Sequence, residues 1–253
     1  MEIHPIGGEH TLFAYSEGTT FLRPGNLVTE PRPNMPLVEA IRDRRTVRAY
    51  RDDPIPHETF LYLITAAIHA PSACNEQRWR FVIINDKSIL EDLYWRGSAA
   101  FLRDTRQAIL VCYSSEGSIS HEYQDSEHSA AAAITNLQLA AHAIGIGCCW
   151  VCHLPPRREV RKMLGIPRFY DPIALVTLGY YRDNVKIKPR KIQAEDLISY
   201  NKWDFRLAPR PFIDWRNLLR FILRRIYYLI PKRKFLRKYS LKHEKKFYNE
   251  VYD

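Results

Sequence analysis

Apolar positions along the chain follow two spacings, and the alternation of these spacings predicts the order of helices and strands. A first helix is expected to hold Pro36 in its first turn and to end near residue 44. A second helix is expected to begin after Pro56 and to end at Ala70, before Pro71. Helical periodicity places four of its apolar residues on one side: Leu61, Ile64, Ala67 and Ile68.

Short runs rich in β-branched residues predict four buried strands, at 80–85, 108–113, 147–151 and 173–180. The longest helical pattern, 123–144, is apolar nearly all round and ends at Gly145, so we expect it to be buried against the core or a second subunit. A short helix is expected from Pro156 to Leu164. This order predicts an α+β or α/β fold with a sheet covered by helices.

Positive charge is concentrated at the C-terminal end of the chain. Residues 203–253 carry 14 Lys/Arg and 5 Asp/Glu, whereas residues 1–202 carry 24 and 23, so +9 of the net +10 belongs to the end. We therefore predict three parts: an N-terminal arm (1–35), a folded domain (36–200) and a basic amphipathic extension (201–253). The extension is expected to meet an anionic partner, while the nearly neutral body carries out the enzymatic work.

Composition excludes several classes of protein. With 46% hydrophobic and 12% aromatic residues the chain is expected to fold. It contains no run of about 18 uncharged apolar residues, so no membrane-spanning helix is expected. The first residues lack the pattern of a secretory signal, and five cysteines form an odd set, so free thiols in a reducing cytoplasm are expected.

Segments far apart in the sequence carry the candidate chemistry. The first is 44–50 (RRTVRAY), after the first helix; the second is 70–81 (APSACNEQRWRF), from a helix end into a strand; and the third is 136–150 (NLQLAAHAIGIGCCW). A weaker fourth piece is Leu178-Gly179-Tyr180, followed by 188–191 (KPRK). In order and spacing these segments resemble the FMN-dependent nitroreductase family, over roughly residues 36–195.

The resemblance implies an α+β, three-layer fold in which a mainly antiparallel central sheet is covered by helices, built as an intertwined homodimer with the flavin at the subunit interface. It implies FMN as cofactor and NADH or NADPH as reductant, with hydride passing through flavin N5 to a small organic acceptor such as a nitroaromatic, a quinone or a biosynthetic intermediate. Positioning and electrostatics carry such a reaction, so no side chain is nominated as catalytic.

FMN carries a phosphate dianion, which arginine side chains hold through forked, charge-assisted hydrogen bonds. The resemblance points to Arg44, Arg45 and Arg48 in the first segment and Arg190 in the fourth for this role. Thr46 and Lys188, beside them, are further candidate cofactor-binding residues. Arginines at a helix end are also explained by the negative end of the helix dipole. Because the other segments also match the family, phosphate binding is favoured over the helix-dipole explanation.

The second segment predicts a rigid turn with small side chains, which lets backbone and short polar groups approach a flat ring. Its candidate cofactor-binding residues are Pro71, Ser72, Ala73, Asn75 and Gln77. In the family this turn reaches the flavin bound mainly by the other subunit; the alternative is a helix-end turn without a ligand. Arg78 stands where the family usually has proline, and it either alters the rim of the site, selects an anionic substrate or is solvated.

The third segment is expected to bring backbone close to the flavin, because glycine at 147 removes a side chain that would block approach. In the family a backbone N–H just after this strand donates to flavin N5, and we place that donor around Trp150 to Cys152. Gly147, Trp150 and Val151 complete the candidate cofactor-binding set.

Two other patterns are discounted. Residues 149–153 (CWVCH) match haem attachment and contain a Cys-x-x-Cys, but a buried strand that sends Cys149 and Cys152 to opposite faces is expected instead. The histidines lack a metal-ligand spacing, so no metal is expected, and no glycine-rich dinucleotide motif occurs.

The basic extension predicts an amphipathic helix over 214–230, ended by Pro231 and followed by a polybasic run. Arg216, Arg220 and Arg224 form a stripe beside an apolar face. Residues 214–246 are therefore a candidate peripheral contact with the inner membrane surface. A helix packed across the dimer is the alternative, and nucleic acid is not expected. An alternative function is a membrane-associated flavoprotein subunit of a biosynthetic assembly, docked by this helix.

Overall fold

Four antiparallel strands form one sheet in the computed structural model, which describes residues 35–116, 124–181, 191–205 and 215–229. In chain order the elements are α1 (Leu37–Asp43), α2 (His57–Ile68), β1 (Trp79–Ile84), α3 (Lys87–Trp95), β2 (Gln107–Ser114), α4 (Asp125–Ala143), β3 (Gly147–Val151), α5 (Arg157–Leu164), β4 (Tyr170–Gly179) and α6 (Trp215–Leu229). Short 3₁₀ turns lie at 73–75, 100–104 and 195–197.

The strands lie in the order β1-β2-β4-β3, and every neighbouring pair is antiparallel. The two central strands, β2 and β4, are bulged relative to each other between Val111 and Cys112. All eight residues of β2 are buried, as expected for a continuous apolar strand covered on both faces. The α+β prediction is confirmed, and the α/β alternative is excluded for this sheet.

Helices cover both faces of the sheet, so the fold has three layers. Helices α2 and α4 pack on one face, where Leu63, Ile134 and Leu137 meet Ile109 and Val176. The second face is covered by α3, α5 and the turn at 100–104, which place Leu90, Leu93, Leu102 and Val160 against Leu110 and Leu175. Alternate residues of β2 therefore serve two separate cores.

Helix α4 is the central helix that the sequence predicts. Its 19 residues span roughly 28 Å at 1.5 Å per residue. Small side chains such as Ala130, Ala133 and Ala141 are fully buried along it, which lets α4 approach α2 and the sheet closely. The helix ends before Gly145, whose φ of 77° is the left-handed conformation that favours glycine.

The sequence prediction was wrong in three details. The core-facing residues of α2 are Phe60, Leu63 and Ala67, whereas Leu61 and Ile68 from the predicted side are 52% and 48% exposed. Strand β1 is only partly buried because it lies at an edge of the sheet. Helix α3 was missed, although Asp86 caps it by accepting from the Ser88 backbone N–H at 2.8 Å.

Parts of the chain that carry predictions lie outside the described residues. These are residues 1–34 of the predicted arm, the candidate phosphate ligands Lys188 and Arg190, and the end of the basic extension after residue 229. The predicted helix in that extension is present as α6. The three-part division of the chain stays a prediction.

Candidate functional site

The first and third chemical segments lie side by side, although about 100 residues separate them in sequence. Thr46 forms a parallel bridge with Cys148 of β3, and the Val47 backbone N–H donates to the Cys148 carbonyl at 2.9 Å. The Arg51 N–H donates to the Tyr180 carbonyl at 2.7 Å, which fixes the other end of the segment beside β4. Residues 44–51 are thus held along the outer edge of the sheet.

Two glycines make this close approach of the segment possible. A Cβ at Gly147 would lie 2.9 Å from Val47 Cγ1 and 2.7 Å from the Tyr181 ring, and one at Gly179 would lie 2.7 Å from the Tyr50 ring. These distances are well inside van der Waals contact. The packing of the segment on β3 and β4 therefore accounts for glycine at both positions, independently of any ligand.

Tyr50 fastens the segment to β4 through its hydroxyl group. That O–H donates to the Val47 carbonyl at 2.6 Å, and the hydroxyl oxygen lies 2.7 Å from Thr177 Oγ1. Burial raises the pKa of Tyr50 well above its usual 10.0, so the phenol stays neutral and keeps its hydrogen. Tyr50 and Thr177 are positioning residues that the sequence analysis missed, because nothing in their spacing links them.

Three arginines of this segment occupy one end of the site, and no carboxylate in the described ranges forms a salt bridge with them. Arg45 donates from Nη1 to the carbonyls of Arg42 at 2.5 Å and Arg44 at 2.9 Å, at the end of α1. Its Nε is buried without a hydrogen-bond partner. Arg45 thus satisfies the helix end, as the dipole explanation expects, and still offers a buried cationic donor.

Arg44 and Arg48 lie beside the thiols of β3. Arg48 and Arg44 are close enough to Cys149, and Arg44 to Cys148, to favour the thiolate forms. Burial dominates nevertheless, raising the pKa of Cys148 from its usual 9.0 to about 12 and that of Cys149 to about 11. Both thiols are therefore protonated at neutral pH and leave the arginines uncompensated.

The edge of β3 beside these arginines also presents a backbone donor. Because the Cys148 carbonyl points towards the Arg44–Arg51 side, the two-residue alternation of a strand directs the peptide N–H of Trp150 to the same side. The Trp150 indole Nε1 is buried without a hydrogen-bond partner. Val151, the last residue of β3, pairs with Leu175 of β4.

All five cysteines are free. Cys149 is buried in β3, whereas Cys152 is exposed and follows the strand, which ends at Val151. The predicted placement of both residues on one strand is therefore wrong, because β3 is one residue too short. Within the described ranges no group of three His, Cys, Asp or Glu side chains is arranged to hold a metal ion.

The second segment forms a tight turn between α2 and β1. Ser72 Oγ accepts the Gln77 backbone N–H at 3.1 Å, and the Gln77 side-chain amide donates to Asn75 Oδ1 at 2.8 Å. Cys74, Asn75 and Gln77 all have positive φ, between 49° and 56°. Such a backbone is costly outside glycine and persists where the surroundings impose it. Asn75 and Gln77 are exposed, as is Pro71.

Ser129 of α4 anchors this turn, and the sequence analysis missed it. Its Oγ accepts the Ala73 backbone N–H at 3.0 Å, while its carbonyl accepts from the Trp79 indole N–H at 3.0 Å. A serine directly before the run of alanines at 130–133 was the available signal, and its burial is visible only in the structure. Arg78, at the unusual position, pairs with Glu76 at 3.3 Å and is partly exposed.

The turn and the arginine segment do not meet within one chain. The turn is fixed to Ser129, near the start of α4. The arginine segment lies at the other end of this helix, since Asp43, beside Arg44, is close to His142. The hydrogen bond from Arg42 is the larger cause that lowers the pKa of Asp43, and His142 lowers it further. Ser129 and His142 are roughly 20 Å apart along the helix at 1.5 Å per residue. Lys188 and Arg190 lie outside the described residues.

Comparisons with known proteins agree with this arrangement. The sequence profile described as "Nitroreductase family" matches residues 41–110 and 91–180. The chain is 32% identical over 173 residues to a putative NADH dehydrogenase/NAD(P)H nitroreductase of Methanothermobacter thermautotrophicus, covering 67% of this chain and 88% of the relative.

Solved structures extend the similarity to the fold. The structure of a putative NADH dehydrogenase/NAD(P)H nitroreductase from Parabacteroides distasonis is 31% identical, with a TM-score of 0.58, covering 66% of this chain and 98% of that one. A nitroreductase with bound FMN from Bacteroides fragilis is 25% identical, with a TM-score of 0.53, covering 64% and 96%.

Proposed function

Because the chain belongs to the nitroreductase family, we propose that it is an FMN-dependent oxidoreductase that uses NADH or NADPH to reduce a small organic acceptor. The relative from M. thermautotrophicus supports the nicotinamide, and the structure from B. fragilis supports FMN. The acceptor class stays open between a nitroaromatic, a quinone and a biosynthetic intermediate.

The observation that carries this proposal is the hydrogen bond between Val47 N and the Cys148 carbonyl. It joins a segment with three arginines, none of which forms a salt bridge in the described ranges, to a strand edge that presents a backbone N–H. An FMN has a dianionic phosphate at one end and a hydrogen-bonding ring at the other, which matches this pair of features. The buried, partnerless Nε of Arg45 fits an anion as its missing partner.

We assign roles to the residues of the chain on this basis. Arg44, Arg45 and Arg48 hold the phosphate, with Thr46 beside them and Lys188 and Arg190 as further ligands. The Trp150 peptide N–H, near the end of β3, orients the ring, with Val151 beside it and Gly147 at the start of the same strand. Bound FMN supplies the acceptor for a hydride from NAD(P)H and the donor to the final substrate. The protein contributes position and electrostatics, without a catalytic acid, base or nucleophile.

We further propose that Pro71, Ser72, Ala73, Asn75 and Gln77 contact the flavin held mainly by a second subunit. The separation of roughly 20 Å along α4 supports a site shared in this way. So do apolar side chains of α1 and α2 that are exposed in one chain: Leu37, Val38, Ile41, Leu61 and Ile68, between 48% and 74% exposed. Exposed apolar patches of this kind are typical of subunit contacts.

The test is an absorbance spectrum of the purified protein, followed by anaerobic titration with NADH and with NADPH. We expect oxidised-flavin bands near roughly 370 and 450 nm, which bleach on addition of the reductant. The relative rates with the two nucleotides decide the reductant. A colourless protein that fails to take up added FMN would contradict the proposal.

A second candidate function is a flavoprotein subunit of a membrane-associated biosynthetic assembly. The exposed apolar side chains of α6 favour it, because a free-standing reductase has no need of such a helix. Deleting residues 203–253 separates the two functions. A free-standing reductase keeps its turnover in solution and its flavin, whereas a docked subunit loses its localisation and the output of its pathway.

A further inference from the structure

Helix α6 presents an apolar face to solvent. At 100° per residue, six large side chains fall within an arc of about 140°: Trp215, Leu218, Leu219, Ile222, Leu223 and Ile226. Each of them is between 41% and 68% exposed. A contiguous apolar surface of this size on a charged helix is unfavourable in water, so it indicates a partner that covers it.

Cationic residues surround this apolar face. On a helical wheel the positions of Arg216, Arg220 and Arg224 lie beyond one border of the apolar arc, about 90° to 170° from its centre. At the border of the arc the Arg225 guanidinium lies 4.7 Å from the centroid of the Phe221 ring. Over residues 215–246 the sequence has 12 Lys/Arg and a single acidic residue, Glu244. The partner of this surface is therefore apolar in its interior and anionic at its boundary.

The body of the chain carries a net charge of only +1 over residues 1–202, so its overall charge gives a second copy no attraction to twelve cations. The family match ends at residue 180, before α6 begins. Among the described helices none is both long and apolar enough to span a bilayer.

We propose that α6 lies flat on an anionic lipid surface and buries its apolar arc at the boundary between headgroups and acyl chains. Arginine fits such a position because its stem packs on apolar surface while the guanidinium reaches lipid phosphates. Trp215 at the start of the helix suits the interface, where an amphipathic ring is favoured. The lysines and arginines after the helix add electrostatic attraction to acidic headgroups. The proposal rests on α6 and goes beyond the flavin chemistry.

The experiment is cosedimentation of the full-length protein with vesicles of phosphatidylcholine, with or without about 30% phosphatidylglycerol. We expect the partition coefficient to be at least about tenfold higher on anionic vesicles and to fall by about tenfold when salt is raised from about 0.05 M to 0.5 M. Leu219→Glu/Ile222→Glu is expected to lower it by at least about tenfold, because two charges enter the apolar arc.

The matched control is Ile192→Glu/Leu197→Glu, which makes the same change at two exposed apolar residues outside α6, 55% and 63% exposed. It is expected to bind anionic vesicles like the unmodified chain. Equal binding to neutral and anionic vesicles, or unchanged binding of the α6 variant, would overturn the proposal. If the protein does not bind vesicles and the α6 substitutions dissociate a dimer, the proposal is overturned, and α6 packs across a partner subunit instead. Sedimentation reads binding directly, so it is independent of whether the protein reduces an acceptor.

Discussion

Arg44→Gln/Arg48→Gln is expected to weaken FMN binding by at least about a hundredfold. A charge-assisted hydrogen bond is worth about 1.5–3 kcal/mol, and loss of two such bonds corresponds to at least about 3 kcal/mol. Burial keeps the neighbouring thiols of Cys148 and Cys149 neutral, with pKa values of about 12 and 11, so they neither compensate the arginines nor repel the phosphate. The measurement is a fluorescence titration of FMN into the flavin-free protein.

The control for this variant is Arg103→Gln, which removes an exposed arginine that pairs with its neighbour Asp104 at 3.4 Å. It should bind FMN with unchanged affinity. The thermal midpoint of the flavin-free double variant shows whether the segment still packs on β3. Unchanged FMN affinity in the double variant would remove the phosphate-binding role from Arg44 and Arg48.

Gly179→Ala is expected to lower the free energy of unfolding by about 2–3 kcal/mol. The added methyl carbon would lie 2.7–2.8 Å from Tyr50, whose ring is held in place by the hydrogen bonds of its hydroxyl to Val47 and Thr177. Relief of the clash requires the segment that carries the three arginines to shift away from β4. Urea denaturation measures the loss of stability, and a weaker flavin affinity is expected to accompany it.

A double-mutant cycle with Tyr50→Gly, which removes both the ring and the Cβ that would lie 2.8 Å from the added methyl, tests the cause of this destabilisation. Without the ring, Gly179→Ala should destabilise the protein by at least about 1 kcal/mol less, because the two sites are in direct contact. Gly165→Ala serves as the comparison, since a Cβ there meets nothing within 4 Å and only its φ of 66° disfavours alanine. Equal losses from Gly179→Ala in both backgrounds would show that Tyr50 is not the obstacle.

The sequence predicted the fold wherever local pattern and burial coincide. The runs that became β2 and β4 are apolar along most of their length, because both faces of the sheet are covered. Helix α4 was predicted from its small and apolar residues. Prediction failed where one pattern allows two burial assignments. Helix α2 has apolar residues on more than one side. Phe60 and Leu63 pack into the core, whereas Leu61 is exposed.

The candidate site was predicted as segments but not as an arrangement. The arginines and the small-residue turn are visible in sequence because their residue types are unusual for their positions. Contacts that join the segments are not visible, because the Tyr50–Thr177 hydrogen bond and the Ser129–Ala73 bond link residues 127 and 56 positions apart. Gly147 shows that one residue can have two explanations. The sequence analysis explained this glycine by close approach of a ligand, but its contacts with Val47 and Tyr181 are enough to require a glycine there.

The length of α4 has a consequence for how the enzyme tolerates damage. Since the arginine segment and the turn lie at opposite ends of this helix, each site of the proposed dimer takes its arginines from one chain and its turn from the other. A chain damaged only in its arginines and a chain damaged only in its turn would then form, together, one site that carries both lesions and one that carries neither. Each mixed dimer would keep half of the full activity, so two inactive variants that are expressed equally in one cell and pair at random would together restore about a quarter of it.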